Sequence, residues 1–459
     1  MYEIDFKKPV NVHFIGIGGI SMSGLAEILL EAGFKVSGSD RAPSELTERL
    51  TSEGATVYYG QREENISSDT ELVVYTAAIK EDNPEYAKAK QLGIEMLTRA
   101  ELLGQIMKNY ETPIAVSGTH GKTTTTSMIT QILLEADTDP TVSVGGMLDA
   151  IGGNIRIGHT GMFITEACEY TNSFLSFYPK IEVILNIEED HLDFFKDIED
   201  IRNSFKKFAK LLPEDGLLVI NADIDNYEEI YEGLSCKVIT VSAKGNADIT
   251  ASDIIYDEKG CAGFDYYIAG EKVGHIQLSV PGEHNVSNAL SAIAVGVHLG
   301  ITEDVIGRGL NAFDGTDRRF QYKGKIGDVT IIDDYAHHPT EIMATLKACE
   351  NYPHKKLWLV FQPHTYTRTK ALFDDFAKAL SLADEVVLAD IYAAREKDTL
   401  GMSSELLCQA VNNNGTLAKY FGSFDEIENY LLLNCSPGDL LITMGAGDIV
   451  KVGESLLGK

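Results

Sequence analysis

The sequence predicts a three-domain α/β protein: a Rossmann-like N-terminal domain, a central domain of P-loop type with a mixed sheet, and a Rossmann-like C-terminal domain. Three observations carry that expectation. The 459 residues exceed what one core holds, since domains run to about 100–200 residues. Short apolar runs alternate with helical patterns along most of the chain. Two of these alternations pass through glycine-rich turns, GIGGISMSG (16–24) and SGTHGKTTTT (117–126).

In chain order, VNVHFI (10–15), FKVSGS (34–39) and ELVVYT (71–76) read as strands. Between the first two, SMSGLAEILLEAG repeats apolar residues at helical spacing and stops at Gly33, a suitable helix C-terminus. After LLGQIMKNYET the strand PIAVSG (113–118) restarts the pattern, and MFITE, EVILNI and GLLVIN continue it. Shorter, antiparallel strands are expected between 237 and 280. The last stretch opens near Arg318-Arg319-Phe320 and carries VTIIDD (329–334), KLWLVFQ (356–362), DEVVLAD (384–390) and DLLITMG (439–445). The domains that result are 1–107, 108–317 and 318–459.

A formal charge of −30 argues against nucleic acid as the main partner, while leaving room for small anions in a local positive field. Six scattered cysteines without a C-x-x-C pair suit reduced thiols rather than a disulfide frame or zinc cluster. The absence of an 18-residue apolar span and of a signal-like start points to a cytoplasmic protein without membrane insertion.

The first glycine turn follows a strand and opens a helix, so its amides suit a diphosphate. Gly16 and Gly18 fit the dinucleotide fingerprint, Ser21 departs from it, and Asp40 stands where a ribose hydroxyl is gripped. NAD and a UDP-sugar both satisfy that chemistry. In the second turn only Thr119 and His120 separate Gly118 from Gly121-Lys122-Thr123, two residues fewer than the common P-loop. The glycines still allow N–H groups to converge on an anion, Lys122 to reach β- and γ-phosphates and Thr123 to bind Mg²⁺.

Glu166 ends MFITE, and Asp190-His191 follow EVILNI. Ligands of open α/β sheets lie beyond such strand ends, where a carboxylate and an imidazole suit a metal beside phosphate. Asn285 and Asn288 lie at a helix start and suit an adenine edge or a cap. DDYAHHPTE (333–341) and FQPHTYTRT (361–369) crowd carboxylates, imidazoles and Arg368 onto strand ends, and GAGDI (445–449) adds a turn at Gly445 and Gly447.

Together with GGN (152–154), EACEY, NIEEDHLDFF, PGEHNVSNA and DRRF, this ordered set resembles the ATP-dependent Mur ligases of peptidoglycan synthesis, from the first strand to the last. The short phosphate loop is the form that superfamily uses. The resemblance implies that L-alanine is joined to the carboxylate of UDP-N-acetylmuramate through an acyl phosphate, with ATP and Mg²⁺, by a monomer or weak dimer. A sibling activity, adding a murein peptide to the same sugar, and a nicotinamide oxidoreductase using the first loop are the alternatives. It implies ATP contacts at Gly118, Thr119, His120, Gly121, Lys122, Thr123, Thr124, Asn285, Asn288 and Arg319, and metal ligation by Thr123, Glu166 and His191. It places UDP-sugar or amino-acid contacts at Gly16, Ile17, Gly18, Gly19, Ile20, Asp40, Arg99, Gly445 and Gly447. His337, Arg368 and Asp334 are implied to position the acyl phosphate or alanine. Thr365 stands where many relatives carry Arg, and Lys206, where some sister ligases carry a carbamylated lysine, reads as an ordinary surface lysine.

Overall fold

The computed structural model describes residues 2–76, 78–394 and 396–459. Its strands fall into three sheets of five, ten and six, in chain order. The first is fully parallel, in the order Thr56–Tyr59, Lys35–Asp40, Asn11–Ile15, Leu72–Tyr75 and Glu95–Thr98. Strand order therefore reverses beside Asn11–Ile15, and the crevice for a ligand opens at its C-terminal end. Helix Ile20–Glu31 starts there; Ala32 caps it and Gly33, at φ +84°, turns the chain back.

The central sheet has a parallel body of Lys237–Ser242, Leu217–Asn221, Ile181–Ile184, Thr112–Ser117, Met162–Ala167 and Thr141–Leu148. Its fringes carry the antiparallel pairs: Gly153–Arg156 against Thr141–Leu148 on one side, and on the other Ile249–Tyr256, which joins Lys237–Ser242 in parallel, against Cys261–Ile268 and that strand against Glu271–Pro281. Two expectations for 237–280 change here. Lys237–Ser242 pairs in parallel, and the antiparallel strands are long, at 8, 8 and 11 residues. Their mixed polar and apolar residues match a hairpin with one exposed face, a pattern that reads locally as short fragments.

The C-terminal sheet runs Gln321–Ile326, Val329–Asp334, Leu440–Met444, Leu357–Phe361, Glu385–Leu388 and Leu417–Tyr420, parallel except for the first pair. Apolar clusters cover both of its faces. One apolar cluster runs from Val12 and Phe14 of the first sheet to Ala115, Phe163 and Ile184 of the second, so these two units share a buried junction. That junction needs small residues. Ile155 fills the space where a Cβ on Gly24 would stand, and the carbonyl of Ser176 occupies that of Gly104. No helix among the described residues is long and apolar enough to cross a membrane.

Candidate active site

Thr112–Ser117 delivers the short glycine loop to helix Lys122–Glu135 at the middle of the central sheet. Gly118 and Gly121 take φ of +144° and +82°, and a Cβ on Gly121 would meet Asn288 Oδ1 at 2.7 Å. Asn186 shapes the turn: its Oδ1 accepts from His120 N–H at 2.8 Å and its amide donates to the His120 carbonyl at 3.1 Å. The N–H groups of Gly121, Lys122, Thr123 and Thr124 have no intrachain acceptor among the described residues, while Thr125 N–H begins the helical bonding to Gly121. Four free amides at a helix N-terminus form an anion cradle.

Lys122 Nζ donates to the carbonyls of Gly118 (2.5 Å) and Thr119 (3.0 Å) and pairs with Glu169 at 3.1 Å. Burial alone would lower its pKa, but the Glu169 charge holds it above the ordinary lysine value. Glu169 is the site carboxylate the sequence reading passed over in favour of Glu166, although both stand in EACEY. Glu166 receives the Gly145 N–H at 2.5 Å, whereas Glu169, buried beyond the strand end, has an Oε1 without a hydrogen-bond partner among the described residues. His191 Nε2 lies 3.8 Å from that oxygen and 3.6 Å from Asp190.

Among the described residues no three His, Cys, Asp or Glu side chains close into a metal cage. The donors present are of the open kind. The Thr123 side chain and Glu166 both border the Gly145–Gly146 corner, and Glu169 Oε1 faces His191. Mg²⁺ takes few protein ligands and completes its shell with water and phosphate oxygens, so this donor set fits it.

Between the central and C-terminal units lies a cavity of about 890 Å³ whose walls include Gly121, Thr124, Asn285, Asn288, Arg319 and Asp334. The structure thus brings together most of the residues expected at the nucleotide. Asn288 donates to Asn285 Oδ1 at 2.9 Å, and Asn285 to the Pro281 carbonyl at 2.7 Å, which fixes both amides. The Arg319 guanidinium lies over the Tyr335 ring and has no side-chain ion pair within 4.0 Å among the described residues. Its neighbour Arg318 is structural: it forks onto Asp333 and the carbonyls of Gly445 and Gly447. The close approach at Gly447 is made by Gln362 and Tyr392, which occupy the space a Cβ would need.

Asp334 accepts from Phe320 N–H and Ala336 N–H at 2.8 and 2.7 Å, and burial lifts its carboxyl to about 6 against the pull of Arg319. Arg368 reaches across to Asp190 at 3.3 Å. Burial would raise the Asp190 carboxyl, yet Arg368 and His191 bring it down to about 2. His337 Nδ1 lies 3.0 Å from the Tyr335 carbonyl, so that nitrogen carries the proton and Nε2 keeps a lone pair; burial pushes this imidazole down to about 4. Thr365 adopts φ +66° just before helix Tyr366–Ala371, and Lys206 Nζ lies 3.8 Å from Glu232.

The first glycine loop uses its amides differently from the expectation. Gly16 and Ile17 N–H both donate to the Ser39 carbonyl, and Gly18 N–H donates to Asp40 Oδ2 at 2.8 Å. The glycines build the turn. The N–H groups left for a ligand among the described residues are those of Ile20, Ser21 and Met22, the first turn of the helix. Arg99 begins helix Arg99–Met107 near Cys168, with no ion pair within 4.0 Å among the described residues.

A phosphate loop at the centre of one α/β unit, a diphosphate-type turn on a second and a polar strand-end cluster on a third define a multidomain enzyme of phosphoryl-transfer chemistry. Residues 11–111, 116–296 and 318–447 match, in turn, the Mur ligase family catalytic domain, the Mur ligase middle domain and the Mur ligase glutamate ligase domain. The chain belongs to the Mur ligase family. It is 60% identical over 459 residues to the UDP-N-acetylmuramate–L-alanine ligase of Agathobacter rectalis and 59% identical over 458 residues to that of Lachnospira eligens, covering 100% of each chain. Among solved structures it is similar to the UDP-N-acetylmuramate-alanine ligase of Thermotoga maritima, with a TM-score of 0.81, 29% identity and 98% of both chains covered. A murein peptide ligase from Psychrobacter arcticus aligns over 98% of both chains at a TM-score of 0.72 and 25% identity.

Proposed function

We propose that this protein is a cytoplasmic enzyme that uses ATP to join L-alanine to the carboxylate of UDP-N-acetylmuramate in peptidoglycan synthesis. The observation that carries the reading is the four-amide cradle with Lys122, whose loop borders the Arg319 cavity. Full-length identity of 60% to a ligase of that name supports the choice of amine over the murein peptide.

In this reading the amides of 121–124 hold the terminal phosphates, and Lys122 leaves its own loop carbonyls to follow the transferred phosphoryl. Thr123 and Glu166 would hold one Mg²⁺, and Glu169 with His191 a second; the ions supply charge neutralisation on phosphate oxygens. Asn285, Asn288 and Arg319 align the nucleotide. The first-turn amides of Ile20, Ser21 and Met22 take the UDP diphosphate, and Asp40 keeps their turn rigid. The sugar carboxylate attacks the γ-phosphorus, ADP leaves, and the alanine amine attacks the acyl phosphate carbonyl with loss of phosphate. His337 Nε2, neutral and open, accepts the proton of that amine. Arg368 orients an anionic group beside it.

Phosphate release measured with UDP-N-acetylmuramate, ATP and single amino acids or tripeptide tests this. Turnover with L-alanine is expected; turnover with the tripeptide alone overturns the assignment. Binding of NADH that a UDP-sugar does not displace would instead favour the oxidoreductase reading.

A further inference from the structure

His120 sits in the phosphate loop, yet both of its ring nitrogens face carboxylates. Nδ1 lies 3.2 Å from Glu341 Oε1, Nε2 lies 3.4 Å from Glu188 Oε2, and the ring packs on His338 at 4.9 Å. Glu188 belongs to the central unit; Glu341 lies in the first turn of helix Pro339–Glu350 in the C-terminal unit, and His338 is that helix's N-cap. Glu341 also holds His337, since its Oε2 accepts from His337 N–H at 3.0 Å and lies 3.3 Å from His337 Nδ1. One carboxylate therefore touches both the phosphate loop and the residue assigned to the incoming amine.

The contact does not stand alone. His338 Nε2 donates to the Glu189 carbonyl at 3.0 Å, and Arg368 pairs with Asp190. The consecutive residues Glu188, Glu189 and Asp190, which the sequence marks only as an acidic strand end, each engage this interdomain seam, Glu188 through His120.

We propose that His120 and Glu341 form a positioning pair that locks the C-terminal unit against the phosphate loop, so that His337 is set at the amine site only when this seam is closed. The proposal rests on the ligase reading given above. Charge supports it. Burial would lower the His120 imidazole, but the adjacent carboxylates of Glu188 and Glu341 lift it to about 9, so it is cationic between them at neutral pH. Burial would likewise raise Glu341, but the His337 backbone N–H, the His120 imidazolium and the Arg319 charge hold it well below the usual carboxylate range.

The test uses the full-length chain as wild type, His120→Gln, Glu341→Gln and the double variant, each first shown folded by its melting curve. Each single variant is expected to lower kcat/KM for L-alanine about 10- to 100-fold while the Kd for ATP moves less than about threefold. Because the two residues act through one contact, the double variant is expected to lose little more than the worse single. Small-angle scattering should show a larger radius of gyration for each variant than for wild type. Losses that multiply in the double variant, or that fall on ATP affinity instead of alanine, overturn the pair. So do unchanged kinetics together with unchanged scattering. If wild type shows no alanine-dependent turnover, the ligase reading fails; the scattering comparison still decides whether the lock exists.

Discussion

Replacing Lys122 by alanine separates the structural and the chemical duties of the phosphate loop. The ammonium and Glu169 are 3.1 Å apart, with side chains 16% and 3% exposed. At an effective dielectric of about 20 their attraction is about 5 kcal/mol, from 332/(20 × 3.1). Removing one partner leaves Glu169 a buried charge without its lysine, which costs about 3–5 kcal/mol of stability. Lys122→Ala is therefore expected to melt well below wild type. Adding Glu169→Gln removes the stranded charge, so the double variant should regain most of that loss. Turnover behaves differently. Without a cation to follow the phosphoryl, kcat is expected to fall about 100- to 1,000-fold or more in both variants, with UDP-sugar affinity near normal. Melting curves and phosphate release on the same three proteins decide the matter. A double variant that turns over within tenfold of wild type would show that Lys122 serves the fold alone.

Asp40→Ala frees the Gly18 N–H and loosens the turn that presents the Ile20–Met22 amides; the KM for UDP-sugar should rise roughly tenfold with kcat nearly constant, as initial rates would show. Gly104→Ala drives a methyl into the Ser176 carbonyl at the junction of the first two units, and calorimetry should record a loss of about 1–3 kcal/mol. Glu182 lies fully buried on the central sheet with neither oxygen partnered among the described residues, and burial pushes its carboxyl well above 4.5. Below pH 4.5 both folded and unfolded chains hold that proton; above it only the unfolded chain releases it. Wild-type stability from this group thus falls by about 1.36 kcal/mol per pH unit until the folded group ionises. Glu182→Gln lacks that slope, so its advantage in melting temperature should widen from pH 5 to pH 7.5; parallel profiles would refute the buried neutral acid.

The elements legible in the sequence are those whose physics is local. A strand buried on both faces, such as Thr112–Ser117 or Leu440–Met444, is an apolar run wherever it is placed, and Gly118 and Gly121 mark positive φ before any partner is known. Pairing direction is not local: nothing within Lys237–Ser242 says that its neighbour Leu217–Asn221 runs parallel. The same limit governs the site. Lys122 is visible in its loop, but its partner Glu169 is chosen by where the chain turns after Met162–Ala167. His120 has no local pattern at all, since its partner Glu341 is 221 residues away. The spent amides of Gly16, Ile17 and Gly18 show the converse. The motif finds the turn, and only the hydrogen bonds show which donors it leaves over.

A chain with net charge −30 that handles three anionic groups needs its cations restrained, and the site shows how. Lys122 is bracketed by Glu169, His120 by Glu188 and Glu341, Arg368 by Asp190 and Arg318 by Asp333. Each such pairing keeps a half-buried cation from standing alone; at Lys122 and Arg368 it does so at the expense of affinity for an incoming anion, which must compete with a carboxylate already in place. Arg319 and Arg99 have no such partner among the described residues. One lines the cavity between the central and C-terminal units; the other stands near Cys168 at the junction of the first two. On the ligase reading proposed above, these two guanidinium groups meet an incoming anion without displacing a carboxylate, whereas Lys122 and Arg368 engage only once a substrate displaces Glu169 and Asp190. That division favours bound, oriented anions over free ones, which is what an enzyme must do to spend ATP on a sugar carboxylate and not on water.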